Sequence, residues 1–404
     1  MRKALLLSSI FPVFSLATDS PMKTLLKKLE EKGILTEKEV KTIEKTANKS
    51  FHPIVKIRLQ PRIDFGDIYK DGDNYKTKSD FYFRRVRLEI SKKWKNIPIG
   101  ESLKINFTLQ ADKAERDYDY KKGKRKHTPP SVKVKYAYAD WKIVDEFSVR
   151  LGIKKLPYSR VSLTSSSRQL LIERPYSTED AKKWLGEYDN NHILFHGKIA
   201  KGIFRYMVAI GDGSSIADEN KTGKENVQAD TKILNLYAIR LEFSPPGFVE
   251  KKKDDTGIGE KNKGNAISFG ISYAENSKFD VGNVNDEKGT VWGVDLFGRF
   301  QLGPGILVAQ AEYVKMKYDK LDKDEKGWYI QGGYLFDTEK FGKVEPAFRY
   351  ENVDYGDSDR KITTLGFNHY FKGHKIKWAY NILFIDNDDG DNQTVHQIQA
   401  QFYF

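Results

Sequence analysis

Hydrophobic and polar residues follow two different periods along this chain, and the change between them falls near Phe51. Between residues 18 and 50, Leu25, Leu26, Leu29 and Ile34 recur at helical spacing, and Gly33 interrupts them as a helix stop. Thr36-Glu37-Lys38-Glu39 reads as a capping box opening a second short helix that carries Val40, Ile43 and Ala47. Helices this short need a surface to pack on, so the segment predicts a helical hairpin or coiled-coil arm. From Phe51 onward the period is two. Val55, Ile57, Leu59, Ile63 and Phe65 share one face of the first strand, against Lys56, Arg58, Gln60, Arg62 and Asp64 on the other. The same alternation sets Leu103, Ile105, Phe107 and Leu109 against Lys104, Asn106, Thr108 and Gln110.

Alternation also describes a soluble β-sandwich, so the connections decide. Short links at 95–100, 144–146, 201–202, 303–305, 338–342 and 372–373 fall between long polar ones at 66–80, 112–130, 155–190, 211–231, 276–289 and 318–325. Short turns on one side and long loops on the other are the layout of an outer-membrane barrel, and the count gives sixteen strands at roughly 22 residues per strand and link. One link, 245–263, is long where a short turn is expected. Trp94, Trp141, Trp292, Trp328, Tyr350 and Phe371 sit at strand ends, where interfacial girdles belong. The final strand alternates Gln397, Gln399, Gln401 and Tyr403 with Ile398, Ala400, Phe402 and Phe404. The expected fold class is all-β: a transmembrane antiparallel β-barrel of about 16 strands over 51–404, preceded by a periplasmic helical arm over 18–50.

Composition alters this picture in three ways. Arg2 and Lys3, the apolar run 4–14 and the small-x-small triplet Ser15-Leu16-Ala17 read as a signal peptide over 1–17, which directs the barrel to the bacterial outer membrane. Mean hydropathy is −0.62 and no apolar run approaches the length of a spanning helix, so any crossing must use strands. The absence of cysteine excludes disulfides and thiolate metal sites.

Net charge is +13, and the barrel decides where it goes. The apolar faces must meet lipid, because a Lys or Arg at mid-bilayer costs roughly 2–4 kcal/mol. Inward bases, among them Lys56, Arg58, Arg62, Arg85, Arg87, Lys104, Lys133, Lys135, Arg150 and Lys154, then outnumber inward acids about two to one. The acids are Asp64, Glu89, Asp112, Glu242, Asp295, Glu312, Glu345 and Glu351. A low-dielectric wall focuses that excess and favours anions. The densest chemistry lies in the third long link, 155–190. Arg160, Ser165, Ser166, Ser167, Arg168 and Arg174 are donors suited to an oxyanion, and Leu163, Leu170, Leu171 and Ile172 can fasten the loop to the inner wall.

The stretch 152–175 resembles the phosphate-selective porin O/P family. Phe83-Arg84-Arg85-Val86-Arg87-Leu88, 327–333, Arg349-Tyr350-Glu351, 366–370 and the C-terminal strand are similar to the same family in the same order. The likeness covers 51–404, and 32–36 is similar to a lead-in common there. It implies a homotrimer in outer-membrane lipid and a third loop folded into the lumen as the constriction. Arg168 and Arg174 would stand in it, with Arg58, Arg62, Arg85 and Arg87 on the approach. Inorganic or phosphorylated anions would be the cargo, and no cofactor is expected.

Other functions leave weaker marks. A general or oligosaccharide porin wants inward aromatics, and few are expected beyond Phe297, Tyr329, Tyr370 and Tyr403. A barrel enzyme needs a nucleophile beside a base, and Ser165, Ser166 and Ser167 have no histidine partner in the motif. A structural barrel would have its lumen plugged by paired charges. His192 and His196 share a strand face without an acidic neighbour, so no metal site is expected. In 386–392, calcium-loop numbering puts Ile385 at position one, and the motif fails. The basic run 121–127 lacks the aromatic platform of a nucleic-acid binder.

Overall fold

The computed structural model describes residues 21–41, 53–71, 74–111, 116–119, 124–127, 132–184, 189–212, 235–259, 264–281, 284–338, 340–356, 358–388, 390 and 392–404. The expected signal peptide 1–17 lies outside the described residues, as do residues 42–50 of the arm, 112, 121–123, 389 and 391. The chain divides into two compact units, Met1–Pro53 and Ile54–Phe404. In the first, helix α1 spans Pro21–Glu31. The capping box is formed: Glu39 N donates to Thr36 Oγ1 at 3.3 Å, and Thr36 N donates to Glu39 Oε2 at 2.9 Å. Leu26 and Val40 are buried.

The second unit is a closed antiparallel barrel of sixteen strands. In chain order the strands are β1 Ile54–Asp71, β2 Asn74–Lys95, β3 Ser102–Ala111, β4 Arg116–Asp119, β5 Lys124–His127, β6 Val132–Lys142, β7 Ser148–Lys155, β8 Asp189–Ile199 and β9 Phe204–Gly211. There follow β10 Leu236–Phe243, β11 Ala266–Val281, β12 Val284–Leu302, β13 Gly305–Tyr318, β14 Lys323–Thr338, β15 Gly342–Asp354, β16 Asp359–Tyr370, β17 Ile376–Asn387 and β18 Gln393–Tyr403. β4 and β5 form a separate hairpin within the second loop. β1 and β18 close the ring through Arg58↔Tyr403 and Arg62↔Gln399, so the barrel itself has no open edge.

Period two governs burial as it should. Along β10 the residues alternate buried and exposed without exception. Ile239, Leu241 and Phe243 point outward, while Arg240 and Glu242 are buried within. Paired aromatics line the outside, including Trp292 with Tyr313 and Trp328 with Tyr350, at 5.3 and 5.5 Å between centroids.

Two of the barrel's register shifts, both β-bulges, alter the inward face near the third loop. Gln60 pairs with Arg85 but Pro61 pairs with Phe83, which leaves Arg84 as an extra residue in β2. Thr108 pairs with Tyr136 and Leu109 with Val134, which makes Lys135 the extra residue of β6. Lys135 was expected on the inner face; beyond the bulge that face belongs to Tyr136 and Tyr138.

Two segments enter the barrel. The third loop carries a short helix, α2 (Arg160–Leu163), and a longer one, α3 (Tyr176–Trp184). Its Leu170 and Leu171 pack against Val308 and Ala347. Glycines make room for them: a Cβ at Gly333 would stand 2.7 Å from Leu170 Cδ1, and one at Gly366 would stand 2.3 Å from Leu171 Cδ2. Ile172 is buried as well. The second segment is the overlong link after β10. It folds inward rather than turning at the rim, so Asp254, Asp255 and Thr256 are buried. Gly257 N donates to Glu345 Oε1 at 2.6 Å, and Asp254 meets His374 at 2.9 Å.

The outward face can be tested directly. Ile239→Lys, placing an ammonium on the lipid side of β10, should destabilise the folded barrel in vesicles by roughly 2–4 kcal/mol in a denaturant titration. An effect near zero would mean that this face does not meet lipid.

Candidate functional site

The inner wall and the two inserted segments enclose a cavity of about 360 Å³. β1 contributes Lys56 and Arg58, β2 Arg87 and Glu89, β3 Lys104, Asn106 and Thr108, β6 Tyr136 and Tyr138, and β7 Arg150, Lys154 and Lys155. The third loop adds Leu163, Ser165, Ser166 and Arg168, the inward link adds Lys252, and Tyr403 comes from β18. Nine of these side chains are basic and one is acidic.

Like charges converge here. Arg58 and Arg87 are direct cross-strand partners, an arrangement that destabilises a sheet unless something lies between them. Both guanidinium groups donate to Ser166 Oγ, at 3.1 and 3.3 Å. Arg58 also reaches Ser165 Oγ at 3.4 Å, and its buried Nε has no acceptor among the described residues. Lys154 meets no carboxylate within ion-pair distance among the described residues; its ammonium lies 3.9 and 4.6 Å from the ring centroids of Tyr136 and Tyr138. Lys155 donates to the carbonyls of Ser162 and Thr164, tying the loop to β7. Of the other bases, Arg150 is paired with Asp140 at 2.5 Å, and Lys56 with Glu89 at 3.6 Å.

The structure therefore brings Arg58, Arg87, Lys154, Ser165, Ser166 and Arg168 onto one cavity and places the other candidates elsewhere. Arg62 and Arg85 are buried around Glu173 of the third loop, where Arg84 joins them through the bulge. Arg84 Nε donates to Glu173 Oε1 at 2.6 Å, and Arg85 Nη2 to Oε2 at 3.5 Å. Arg160 makes a bidentate pair with Glu250 at 2.9 and 3.2 Å, meets Asp255 at 3.2 Å, and stacks 3.6 Å over Phe297. Arg174 donates to the carbonyls of Val161 and Thr164 and pairs with Glu179, so it holds the loop's own shape. Ser167 is fully buried, and its carbonyl accepts from Gln401 at 3.4 Å.

The sequence reading missed the acids that hold these arginines. Glu173, Glu250 and Asp255 lie in connections rather than strands, so strand alternation could not count them. His196 also differs from expectation, since Asp140 stands 3.2 Å from its Nε2. Asp140 is shared with Arg150, and no group of three metal-ligating side chains occurs among the described residues.

Glu173 sets a testable pH dependence. Burial alone would raise its carboxyl, but Arg84, Arg85 and Arg62 hold it well below its ordinary value of 4.5. A lowered carboxyl contributes stability that is full above 4.5 and lost only as pH falls through the depressed folded value. Pepsin just below pH 4.5 should therefore spare the third loop of the wild type. Glu173→Gln should lose roughly 1.5–3 kcal/mol of loop docking and be nicked about ten-fold faster or more. Equal cleavage of the two proteins would show that this cluster does not hold the loop.

The family model described as phosphate-selective porin O and P matches residues 55–404. An uncharacterized protein of Aquifex aeolicus (strain VF5) is 66% identical over 415 residues, covering all of both chains. Among solved structures, the chain is similar in fold to the anion-selective porin from Comamonas acidovorans, with TM-score 0.56 and 16% identity over 87% of this chain and 99% of that one. It is likewise similar to OprB of Pseudomonas putida in its high-pH structure, with TM-score 0.60 and 10% identity over 90% and 96% of the two chains. The trimer form of OmpT from Vibrio cholerae aligns at TM-score 0.56 and 8% identity over 87% and 99%. With the family match spanning the whole barrel, the chain belongs to the phosphate-selective porins O and P and is a channel-forming protein of the bacterial outer membrane.

Proposed function

We propose that the protein is an anion-preferring diffusion channel for phosphate or related oxyanions, and that the cavity between the third loop and the wall of β1, β2, β3, β6 and β7 is its constriction. The observation that carries this reading is the cross-strand pair Arg58 and Arg87, both donating to the one neutral oxygen of Ser166. An anionic oxygen at that place would relieve their repulsion and present an ionised acceptor to two ionised donors. Lys154 and Arg168 extend the positive lining, and hydroxyls supply neutral donors alongside. Within this proposal, residues 1–17 are the signal peptide, 18–50 the periplasmic arm, and the functional unit is a homotrimer, the form in which OmpT of Vibrio cholerae was solved.

The alternative is a general or oligosaccharide porin, which would use its aromatic faces to stack sugar. The cavity's tyrosines offer poor faces for that. Tyr136 and Tyr138 lie beneath Lys154, and Arg58 covers Tyr403 at 4.9 Å.

The test is electrical. In planar bilayers under a chloride gradient, the reversal potential should report anion preference. Arg168→Ala should raise the phosphate concentration that blocks chloride current by roughly ten-fold, as expected for loss of one charge-assisted hydrogen bond. Chloride preference should fall less, because the other basic side chains of the cavity remain. Lys326→Ala is the control; Lys326 is exposed, pairs with Asp354 and lies outside the cavity. Cation preference in the wild type, or equal effects of the two substitutions, would overturn the reading.

A further inference from the structure

The overlong link after β10 does more than touch the third loop. Its described residues, 245–259, cross the lumen at the rim where the strands are joined by short turns. At the near end Ser244 N donates to the carbonyl of Ile203 at 2.8 Å, and Ile267 N donates to that of Phe248 at 3.1 Å. Arg205 of β9 then donates to the carbonyl of Glu250, and Lys253 pairs with Glu242 of β10. Midway, Thr164 Oγ1 of the third loop donates to Asp255 Oδ1 at 3.1 Å, beside the Arg160 clamp. The far end is held by Asp254 against His374, in the turn between β16 and β17, and by Gly257 N on Glu345 of β15. Gly257 also lies flat on β14, where an added Cβ would stand 2.5 Å from Leu335 Cβ.

The two inserted segments are seated by different forces. Leu170 and Leu171 hold the third loop through apolar contact, which water opposes breaking. The link instead runs Glu250-Lys251-Lys252-Lys253-Asp254-Asp255, six charged residues in succession. Charged side chains are seldom buried unless paired, and Glu250, Asp254 and Asp255 are buried against Arg160 and His374. Attraction in such a pair is largely offset by the desolvation of both partners. Removing one side chain strands the other, but moving the whole link out to the rim lets water reach both. We propose that residues 245–259 are a reversible strap across the short-turn mouth of the channel. Docked, the strap confines permeation to the basic cavity and holds the third loop from the short-turn side. Withdrawn, it leaves a wider mouth. The inference concerns the width of the path and does not depend on which ion the cavity prefers.

Single-channel recording of the full-length protein tests this in two ways. Gly257→Val places a branched side chain where a Cβ already has no room, so it should lift the strap off β14 while leaving every charge in place. A conductance level above that of the wild type should appear, and adding Leu335→Gly, which removes the clashing atoms, should abolish it. The second test uses the absence of cysteine from the chain. Thr256→Cys, on the strap, and Thr364→Cys, on the inner wall of β16, replace residues that are equally and fully buried. A bulky, water-soluble maleimide added from the short-turn side should modify Thr256→Cys and hold that channel at the higher level, while Thr364→Cys stays unmodified. Wild-type conductance in Gly257→Val would overturn the inference. So would a Thr256→Cys channel that never reacts, which decides the matter even if Gly257→Val fails to insert. Equal reaction of both cysteine variants would overturn it as well, since the interior would then open as a whole.

Discussion

Lipid will not accept charge, and that single exclusion organises the molecule. A chain that is 31% charged and strongly basic can cross a bilayer only by turning its ionic side chains to one face of every strand and closing the strands into a ring. The lumen must then accommodate the charge that the outside refuses. It does so differently in two regions. Along β10 to β17 the lumen is packed and paired: Arg240 meets Glu242 and Asp295, Arg349 meets Glu351, and Tyr329 bridges Gln310 and Glu312. Along β1 to β7 the bases outnumber their acids, and the cavity opens there.

The two inserted segments create that division. Arg160 in the third loop clamps Glu250 and Asp255 of the inward link, and Asp255 N donates to the carbonyl of Arg168 at 3.0 Å. Breaking a pair buried this deeply by removing one partner typically costs about 3–5 kcal/mol, because the other charge is stranded. The loop and the link are thus held together, although they enter from opposite rims. Arg168 and Lys252 face the cavity from the two segments, and this lock holds the backbone of Arg168.

The sequence made the barrel legible because period two is imposed by lipid on nearly every strand, and because link lengths alternate with the side of the membrane. It also exposed the third loop, whose Leu170 and Leu171 betray a segment that is not solvated. The glycines that receive them, Gly333 and Gly366, fall within motifs that carried the family resemblance, and their contact with the loop explains why a side chain is missing there. What alternation could not deliver were the places where it slips. A single extra residue brings Arg84 to Glu173 beside Arg85, and another brings Tyr136 and Tyr138 to the lumen in place of Lys135. Nor could it say which arginine the inward link would clamp. Arg160 and Arg168 sit eight residues apart in one loop with the same chemistry, and only the fold of a distant link separates a buried clamp from a cavity lining.

That separation bears on how a basic channel can remain permeable. An arginine satisfied on both sides by carboxylates offers nothing to a passing anion, whereas a wall of unrelieved arginines would bind one too tightly to let it go; conduction needs binding strong enough to admit and weak enough to release. As the proposed constriction, the cavity would lie between these limits. Arg58 and Arg87 are held by serine oxygens, which are neutral and give way without leaving a stranded charge. Lys154 is held by tyrosine faces, worth about 0.5–2 kcal/mol and likewise replaceable. Arg58, Arg87 and Lys154 therefore rest on neutral partners, with Ser166 shared by the two arginines. In the proposed channel, exchange of those partners for an incoming oxyanion would let the site select without trapping.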